Sequence, residues 1–333
     1  MKKVVIFTFT LMLFLLAACG GGNEENNAGS DNEGNSGSDE RTVTIQDAMG
    51  EQPIKGTPKK IVALEWSYAE NLLALGIQPA GVADLDGFHQ WVNINKEFDE
   101  SVKDVGTRQE PNLEAISRLN PDLIIAVKFR HEQYLDKLKD IAPVVTFAPY
   151  GEEAIQDHYQ NMIDEFNKIA KIVDKQDEAE QALDELNSVI DKQKQRVADA
   201  GLEGSTFLAT QAFTAQNTPT IRMFTDNSMV GKLMNNLGFK NAYQSDKPEV
   251  YGYSEVTVEA LQNFQEKDLQ FLYIVQEEDN IFENQLKGNP VWENLGFVKN
   301  GNTHQLPGDT WTFGGVLSNQ VLVKQLVDAM VKE

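Results

Sequence analysis

The sequence predicts an α/β protein of two similar, Rossmann-like lobes joined by a single long helix. Short apolar runs that suit buried parallel strands alternate with helical stretches in the first part of the chain. Helical spacing then takes over for about fifty residues, after which the alternation resumes with local similarity to the first part.

Arg41 to Ile45 alternates polar and apolar residues like a half-buried strand, and Asp47 to Gly56 carries the turn residues of a hairpin. Ile61 to Leu64 is a continuous apolar run, followed by a helical stretch from Tyr68 to Leu75 that Gly76 ends. Gly81 to Ala83 gives a second short strand. Pro121 and Asp122 introduce Leu123 to Val127, an unbroken apolar segment of the kind a parallel sheet buries on both faces. Val144 to Phe147 is the next.

From Ile155 the period changes. Ile155, Met162, Ile163, Phe166, Ile169 and Val173 recur at helical spacing, and Ala179, Leu183, Leu186, Val189 and Ile190 continue the stripe beyond a break at Asp174 to Gln176. Asp177 with Glu180 suits an N-cap and capping box, Asp standing in for the usual Ser or Thr. This second helix is expected to run to about Val197 and to stop near Gly201. Thr206 to Ala212, Thr220 to Phe224, Phe271 to Val275 and Thr303 to Leu306 restore the strands. Leu72 to Ile77 resembles Leu233 to Phe239, allowing one inserted residue. Asn112 to Ile116 with Pro121 to Ile125 resembles Thr257 to Leu261 with Lys267 to Leu269, in the same order. The expected organisation is a first lobe over 41–173, a bridging helix over 174–201 and a second lobe over 202–333.

Ahead of the lobes, Lys2 and Lys3 precede an apolar stretch from Val4 to Leu15. It is too short to span a bilayer, which takes about 20 residues, but it suits the core of a secretory signal. Leu16-Ala17-Ala18-Cys19 closes it and resembles a bacterial lipobox, so residues 1–18 are expected to be removed and Cys19 to carry lipid. Cys19 is the only cysteine in the chain, which leaves no thiol for a disulfide, a zinc site or a nucleophile. Gly20 to Glu40 lacks aromatic residues and has almost nothing apolar, so residues 19–40 read as a disordered tether. With 51 acidic against 29 basic side chains the formal charge is -22. That argues against a nucleic-acid partner and leaves membrane attachment to the lipid.

Two stretches, IVALEWSYAENLLALGIQPAGVA from Ile61 to Ala83 and VGTRQEPNLEAISRLNPDLIIA from Val105 to Ala126, carry a resemblance that extends from about Val43 to the C-terminus. They resemble the helical-backbone class of substrate-binding proteins, which serve importers of ferric siderophores, haem and cobalamin. Within it they are most similar to Gram-positive ferric-siderophore lipoproteins, above all those for citrate-based siderophores. The resemblance implies a monomeric receptor on the outer face of the cell membrane that hands a ferric siderophore to an ABC permease. It implies no resident cofactor, because the siderophore coordinates the iron. The cleft between lobes bridged by one helix should be largely pre-formed. A Glu on the upper surface of each lobe is implied to meet the permease; the matching positions are Glu114, in Pro111-Asn112-Leu113-Glu114, and Glu259, in Val256-Thr257-Val258-Glu259. Both are expected at a helix start, where the dipole favours a carboxylate.

Arginine usage points to the cleft. The chain has six Arg against 23 Lys. Arg41, Arg118 and Arg196 fall at a linker edge or on helices and are expected in solvent. Arg108 follows Gly106-Thr107 just before a helix start, Arg130 follows the buried run Leu123 to Val127, and Arg222 lies in a strand-like segment of the second lobe. Ligands of open α/β sheets bind beyond the carboxyl ends of the strands, and guanidinium groups match carboxylates in bidentate geometry. Arg108 and Arg130 also match positions that hold the anionic ligand in the citrate-siderophore binders the chain resembles; Arg222 matches less well. The ligand is therefore expected to be an anionic chelate, a citrate-hydroxamate siderophore or ferric citrate. Trp66, Tyr68, Trp91, Phe213, Tyr251 and Trp311 are the aromatic candidates for the cleft, with Tyr253 and Phe313 beside two of them.

Other readings lack parts. A zinc or manganese receptor needs clustered His and carboxylate ligands, and His89, His131, His158 and His304 are scattered, although His131 beside Arg130 is placed to touch a ligand. An extracellular hydrolase is the reading from a different class, but the chain has no G-x-S-x-G elbow, P-loop or G-x-G-x-x-G after the first strand, leaving only carboxylate chemistry. A haem or cobalamin receptor of the same class stays open, with Tyr251 or His304 as an axial ligand for haem.

Overall fold

The computed structural model describes residues 41–331; the signal-like segment, Cys19 and the tether lie outside the described residues. The chain enters through an antiparallel hairpin of β1 (Thr42–Asp47) and β2 (Gly50–Lys55) that buries Val43, Ile45 and Ile54. The Asp47 carboxylate accepts from the Met49 and Thr146 amides, closing the turn and fastening it to the first sheet.

That sheet contains β3 (Ile61–Ala63), β4 (Gly81–Val82), β5 (Lys103–Asp104), β6 (Leu123–Val127) and β7 (Val144–Phe147), in the order β5-β4-β3-β6-β7 with every pair parallel. All five residues of β6 are buried, because helices cover both faces of a parallel sheet; this is why its sequence does not alternate. Helices of seven residues or more in this lobe are α1 (Trp66–Ala74), α2 (Leu85–Trp91), α3 (Leu113–Leu119) and α4 (His158–Val173).

Asp174, with φ of 60°, ends α4 in the left-handed conformation, which Asp tolerates better than most residues. The long helix α5 (Gln176–Asp199) starts ahead of the expected cap. Lys175 is its N-cap residue and makes no side-chain cap bond, so Asp177 does not cap it; Asp177 and Glu178 lie in its first turn, where negative charge suits the dipole.

The second sheet departs from the expected parallel pattern. Its strands are β8 (Thr206–Ala215), β9 (Thr218–Phe224), β10 (Lys240–Asn241), β11 (Tyr253–Val256), β12 (Gln270–Ile274) and β13 (Thr303–Leu306). The order is β11-β9-β8-β12-β13, with β10 beside the start of β8. β9 pairs antiparallel with both β8 and β11, while β12 is parallel to β8 and β13. The β8–β9 turn is made by Gln216 and Asn217, both at positive φ (50° and 63°). That is the backbone a two-residue hairpin with right-twisted strands requires, here without the usual glycine.

The lobes share one core. Leu72 of α1, Phe166 and Ile169 of α4, and Leu186 and Val197 of α5 pack with Leu233 of α6 (Met229–Asn236) and Leu322 and Leu326 of α7 (Val316–Met330) in a continuous apolar cluster. The outer face of each sheet has its own cluster, around Ile116, Ile124 and Leu138 in the first lobe and Phe271, Phe282 and Phe297 in the second. Although α7 ends the second lobe in sequence, it packs on both α5 and α1. Glu70 of α1, fully buried, accepts from the amide and hydroxyl of Ser318 at the start of α7, both at 2.6 Å. Gly315 lets the two helices meet this closely, since a Cβ there would lie 2.2 Å from Asn71 Oδ1.

Candidate functional site

The carboxyl ends of the first sheet's strands supply one wall of a cleft. Glu65 and Trp66 follow β3, Arg108 follows β5, Phe129 and Arg130 occupy a one-turn helix directly after β6, and Pro149 and Tyr150 follow β7. The opposite wall comes from the second lobe: Gln211 and Phe213 of β8, Arg222 of β9, Tyr251 and Tyr253, and Trp311 with Phe313 beyond β13. The cleft has two adjoining chambers that share Arg108, Arg222, Trp311 and Phe313, of about 290 and about 480 Å³. The first is the charged one, holding Glu65 and all three arginines. The second is more apolar, adding Trp66, Trp91, Phe213, Ile274 and Val275.

Glu65 organises the charged chamber. Its Oε1 accepts from Arg108 Nη1 at 2.9 Å and its Oε2 from Arg130 Nε at 3.0 Å, with Glu65 at 11% side-chain exposure. It is also the N-cap residue of α1 and accepts from the Trp66 amide, so the helix end favours its negative charge. The Arg108 guanidinium lies flat over Trp66, 3.4 Å from the ring centroid, a stacked cation–π contact. Arg108 Nε has no hydrogen-bond partner; Asp84 Oδ2 is its nearest carboxylate oxygen at 3.8 Å, beyond hydrogen-bonding reach.

His131 holds Arg108 from behind. It is buried, its Nδ1 accepts from the Val127 amide, and its Nε2 therefore carries the proton donated to the Arg108 carbonyl at 2.8 Å. Burial holds its imidazole below the usual histidine range. His131 is thus a backbone brace and does not reach the cleft, contrary to the sequence expectation.

Arg222 is placed by the antiparallel strands that the sequence pattern did not reveal. In register it faces Gln211 on β8 and Glu255 on β11. It donates to Gln211 Oε1 at 3.2 Å and to Glu255 Oε1 at 3.1 Å, and its guanidinium packs on Phe213 and Tyr253. The structure therefore brings Arg108, Arg130 and Arg222 to one cleft. Arg118 is exposed and pairs with Glu114 on α3. Arg41 departs from the solvated expectation, since it donates to the carbonyls of Gly56, Lys171 and Ile172 and clasps the end of α4. Arg196 pairs with Asp328, joining α5 to α7.

The aromatic candidates divide. Tyr251 is exposed at the mouth, Phe213 and Trp91 line the second chamber, and Trp311 sits between the chambers, 5.2 Å from Trp66. Trp66 itself is 2% exposed, with its indole N–H donating to the carbonyls of Ala83 and Asp84, so it supports Arg108 and presents little surface. Tyr68 is in the core behind the cleft, where its hydroxyl donates to Glu165. Burial pushes the Glu165 carboxyl up to about 7. Two aromatic wall residues escaped the sequence reading. Phe129 and Tyr150 continue a chain of ring contacts into Tyr251 and Tyr253 across the two lobes; the one available signal was the place of Phe129 beside Arg130.

Glu114 lies in the first turn of α3, capped by Asn112, and Glu259 in the first turn of a short helix over Val258–Asn263. Both side chains are exposed, and neither lines the cleft. His304 is held by Gln270 and the Ala329 carbonyl, outside the two chambers.

The chain and its fold have counterparts among known proteins. The chain is 34% identical over 330 residues to the Fe(3+)-citrate-binding protein YfmC of Bacillus subtilis, covering 98% of this chain and 96% of that one. It is 28% identical to the iron(3+)-hydroxamate-binding protein FhuD of Escherichia coli, over 82% of this chain and 87% of the relative. The crystal structure of the Fe3+-Desferal-bound siderophore-binding protein FhuD from Vibrio cholerae superposes with a TM-score of 0.72 at 27% identity, covering 82% of this chain and 98% of that one. Residues 61–310, which include the cleft arginines and most of both sheets, match the periplasmic binding protein family, and the chain belongs to it.

Proposed function

We propose that this chain is the substrate-binding lipoprotein of an ABC importer, capturing an anionic ferric siderophore of citrate-hydroxamate type, or ferric citrate, and delivering it to the permease. The observation that carries this reading is the convergence of Arg108, Arg130 and Arg222, from both lobes, on one cleft walled by Phe129, Tyr150, Tyr251, Tyr253 and Trp311. In this reading the siderophore keeps the iron, its carboxylates take the guanidinium donors in charge-assisted hydrogen bonds, and its flat or apolar parts lie on the rings. The relatives named for ferric citrate and ferric hydroxamate support that ligand class. Lipid on Cys19 would hold the receptor, as a monomer, at the outer face of a Gram-positive cell membrane, and Glu114 and Glu259 would face the permease. The chain binds and releases without a chemical step and needs no cofactor of its own.

Trp91 and Trp311 line the cleft, so titrating the purified protein with a panel of ferric chelates should quench its intrinsic fluorescence. Arg108→Ala and Arg130→Ala should each weaken the best chelate by about tenfold to a hundredfold, the loss of about 1.5–3 kcal/mol expected for one charge-assisted contact. Affinity unchanged in both variants would overturn the arginine-lined site.

A further inference from the structure

The charged chamber contains a single carboxylate among the described residues that line it, and that carboxylate belongs to Glu65. Each Glu65 oxygen is committed to a different arginine, at 2.9 Å to Arg108 and 3.0 Å to Arg130. These arginines lie 43 and 65 residues further along the chain. His131 joins their backbones through the Arg108 carbonyl, and among the described residues Glu65 is the group that joins the two guanidinium groups. We infer that Glu65 is the charge-setting specificity residue of the cleft, fixing the two guanidinium groups in register and lowering the positive charge offered to the ligand. The inference deepens the proposed function and rests on it in taking this cleft as the ligand site.

The charged side chains that line the first chamber are three arginines and one carboxylate. Asp84 and Glu255 approach Arg108 and Arg222 from outside that lining, at 3.8 and 3.1 Å. Asp84 is too far to compete for a hydrogen bond, and the Glu255 side chain is 52% exposed, where solvent screens it strongly. Glu65, by contrast, is largely shielded and lies between two guanidinium groups that a ligand carboxylate would use. Glu65 occupies Arg108 Nη1 and Arg130 Nε, so an incoming anion takes the remaining N–H donors of guanidinium groups whose charge Glu65 already partly offsets. The cleft therefore discriminates by the charge of the chelate as well as its shape: it attracts an anion, but less strongly than three unopposed arginines would. Chelates of modest negative charge gain most from this arrangement relative to polyanions, which a chamber without Glu65 would favour.

Glu65→Gln tests this because it keeps the size of the side chain and removes its charge. The readout is the ratio of dissociation constants for two ferric complexes of opposite charge, the ferric citrate anion and the cationic ferrioxamine B, measured on the same preparations. One added positive charge within several ångströms of the ligand should move the ratio toward the anion by at least about fivefold, whatever the variant loses in absolute affinity. A residue that only supported the fold would weaken both complexes alike and leave the ratio in place. A second measurement needs no ligand. Phenylglyoxal should modify Arg108 and Arg130 several-fold faster in Glu65→Gln, with Arg222, which Glu65 does not touch, as the internal control. An unchanged ratio, or unchanged reactivity at both arginines, overturns the inference. Failure of the parent protein to bind any ferric chelate would count against the proposed function, and the arginine reactivity would still decide the role of Glu65.

Discussion

Glu165 is an acid that the fold prefers to keep protonated. Burial raises its pKa to about 7, against the hydrogen bonds from Asn161 and Tyr68, which pull the other way. Between about pH 4.5 and 7 the folded state therefore holds a proton that the unfolded chain releases, and stability falls as pH rises through that window. His131 contributes with the opposite sign. Its pKa is lowered by burial, so the unfolded chain binds the extra proton and stability is lost as pH falls below the ordinary histidine value. The two overlap, and a variant is needed to separate them. Relative to the parent, Glu165→Gln should gain up to about 3 kcal/mol at pH 8 but no more than about 1 kcal/mol at pH 5, in urea denaturation at both values. The same offset at both pH values would show that the carboxyl does not titrate in this window. Neither Glu165 nor Glu65 was legible from sequence, because 51 acidic residues give no reason to single out two. What distinguishes them, a buried Tyr68 hydroxyl and a pair of arginines from distant parts of the chain, exists only once the chain has folded.

Between elements, the decisive contact is the one that seats α7 on α1. The Glu70 carboxylate faces the start of α7 and accepts from the Ser318 amide and hydroxyl, so it satisfies donors that a helix N-terminus leaves open and opposes the positive end of the dipole. Burial raises the Glu70 pKa, and the Ser318 bonds work against that rise. Ser318→Ala should cost about 1–2 kcal/mol of stability, one hydroxyl donor to a buried carboxylate, read as a lower urea midpoint with an unchanged m-value. A shift of no more than a few tenths of a kcal/mol would mean the backbone donors suffice. Some elements were plain in the sequence for physical reasons. β6 and β7 are short and wholly buried, β6 set between Asp122 and Lys128 and β7 between two Ala-Pro pairs, and α4 and α5 carry long apolar stripes. The β8–β9 hairpin was not, because Gln216-Asn217 lacks the glycine that usually marks such a turn. Arg222 consequently gained its cross-strand partners only in the structure.

At the scale of the whole molecule, the shared core decides what the receptor can do. Side chains from α1, α4, α5, α6 and α7 pack in one cluster, so the lobes cannot part widely without exposing it, and small adjustments around the ligand are the motion it favours. The sequence already pointed to a cleft of this kind, since Arg108 precedes a helix start, Arg130 follows a buried strand and arginine is scarce. It could not show which aromatic side chains face inward, and Tyr68 and Trp66 proved to be core and support. A body held together in this way also fixes the separation of Glu114 on the first lobe and Glu259 on the second. Glu114 is 77% exposed and its pairing with Arg118, four residues on, is a surface contact, worth little and easily exchanged for a partner. The Thr257 hydroxyl lowers the Glu259 pKa, which keeps that carboxylate charged over the working range. If these two carboxylates meet cations on the permease, Glu114→Lys with Glu259→Lys should leave siderophore affinity unchanged in fluorescence titration, because neither lines the cleft. Uptake of radiolabelled ferric chelate by cells carrying only this receptor should fall, and fall further than in the double alanine variant, because reversal adds repulsion to the lost attraction. Unimpaired uptake in the double reversal would remove both residues from the docking surface and leave the assignment of the cleft untouched.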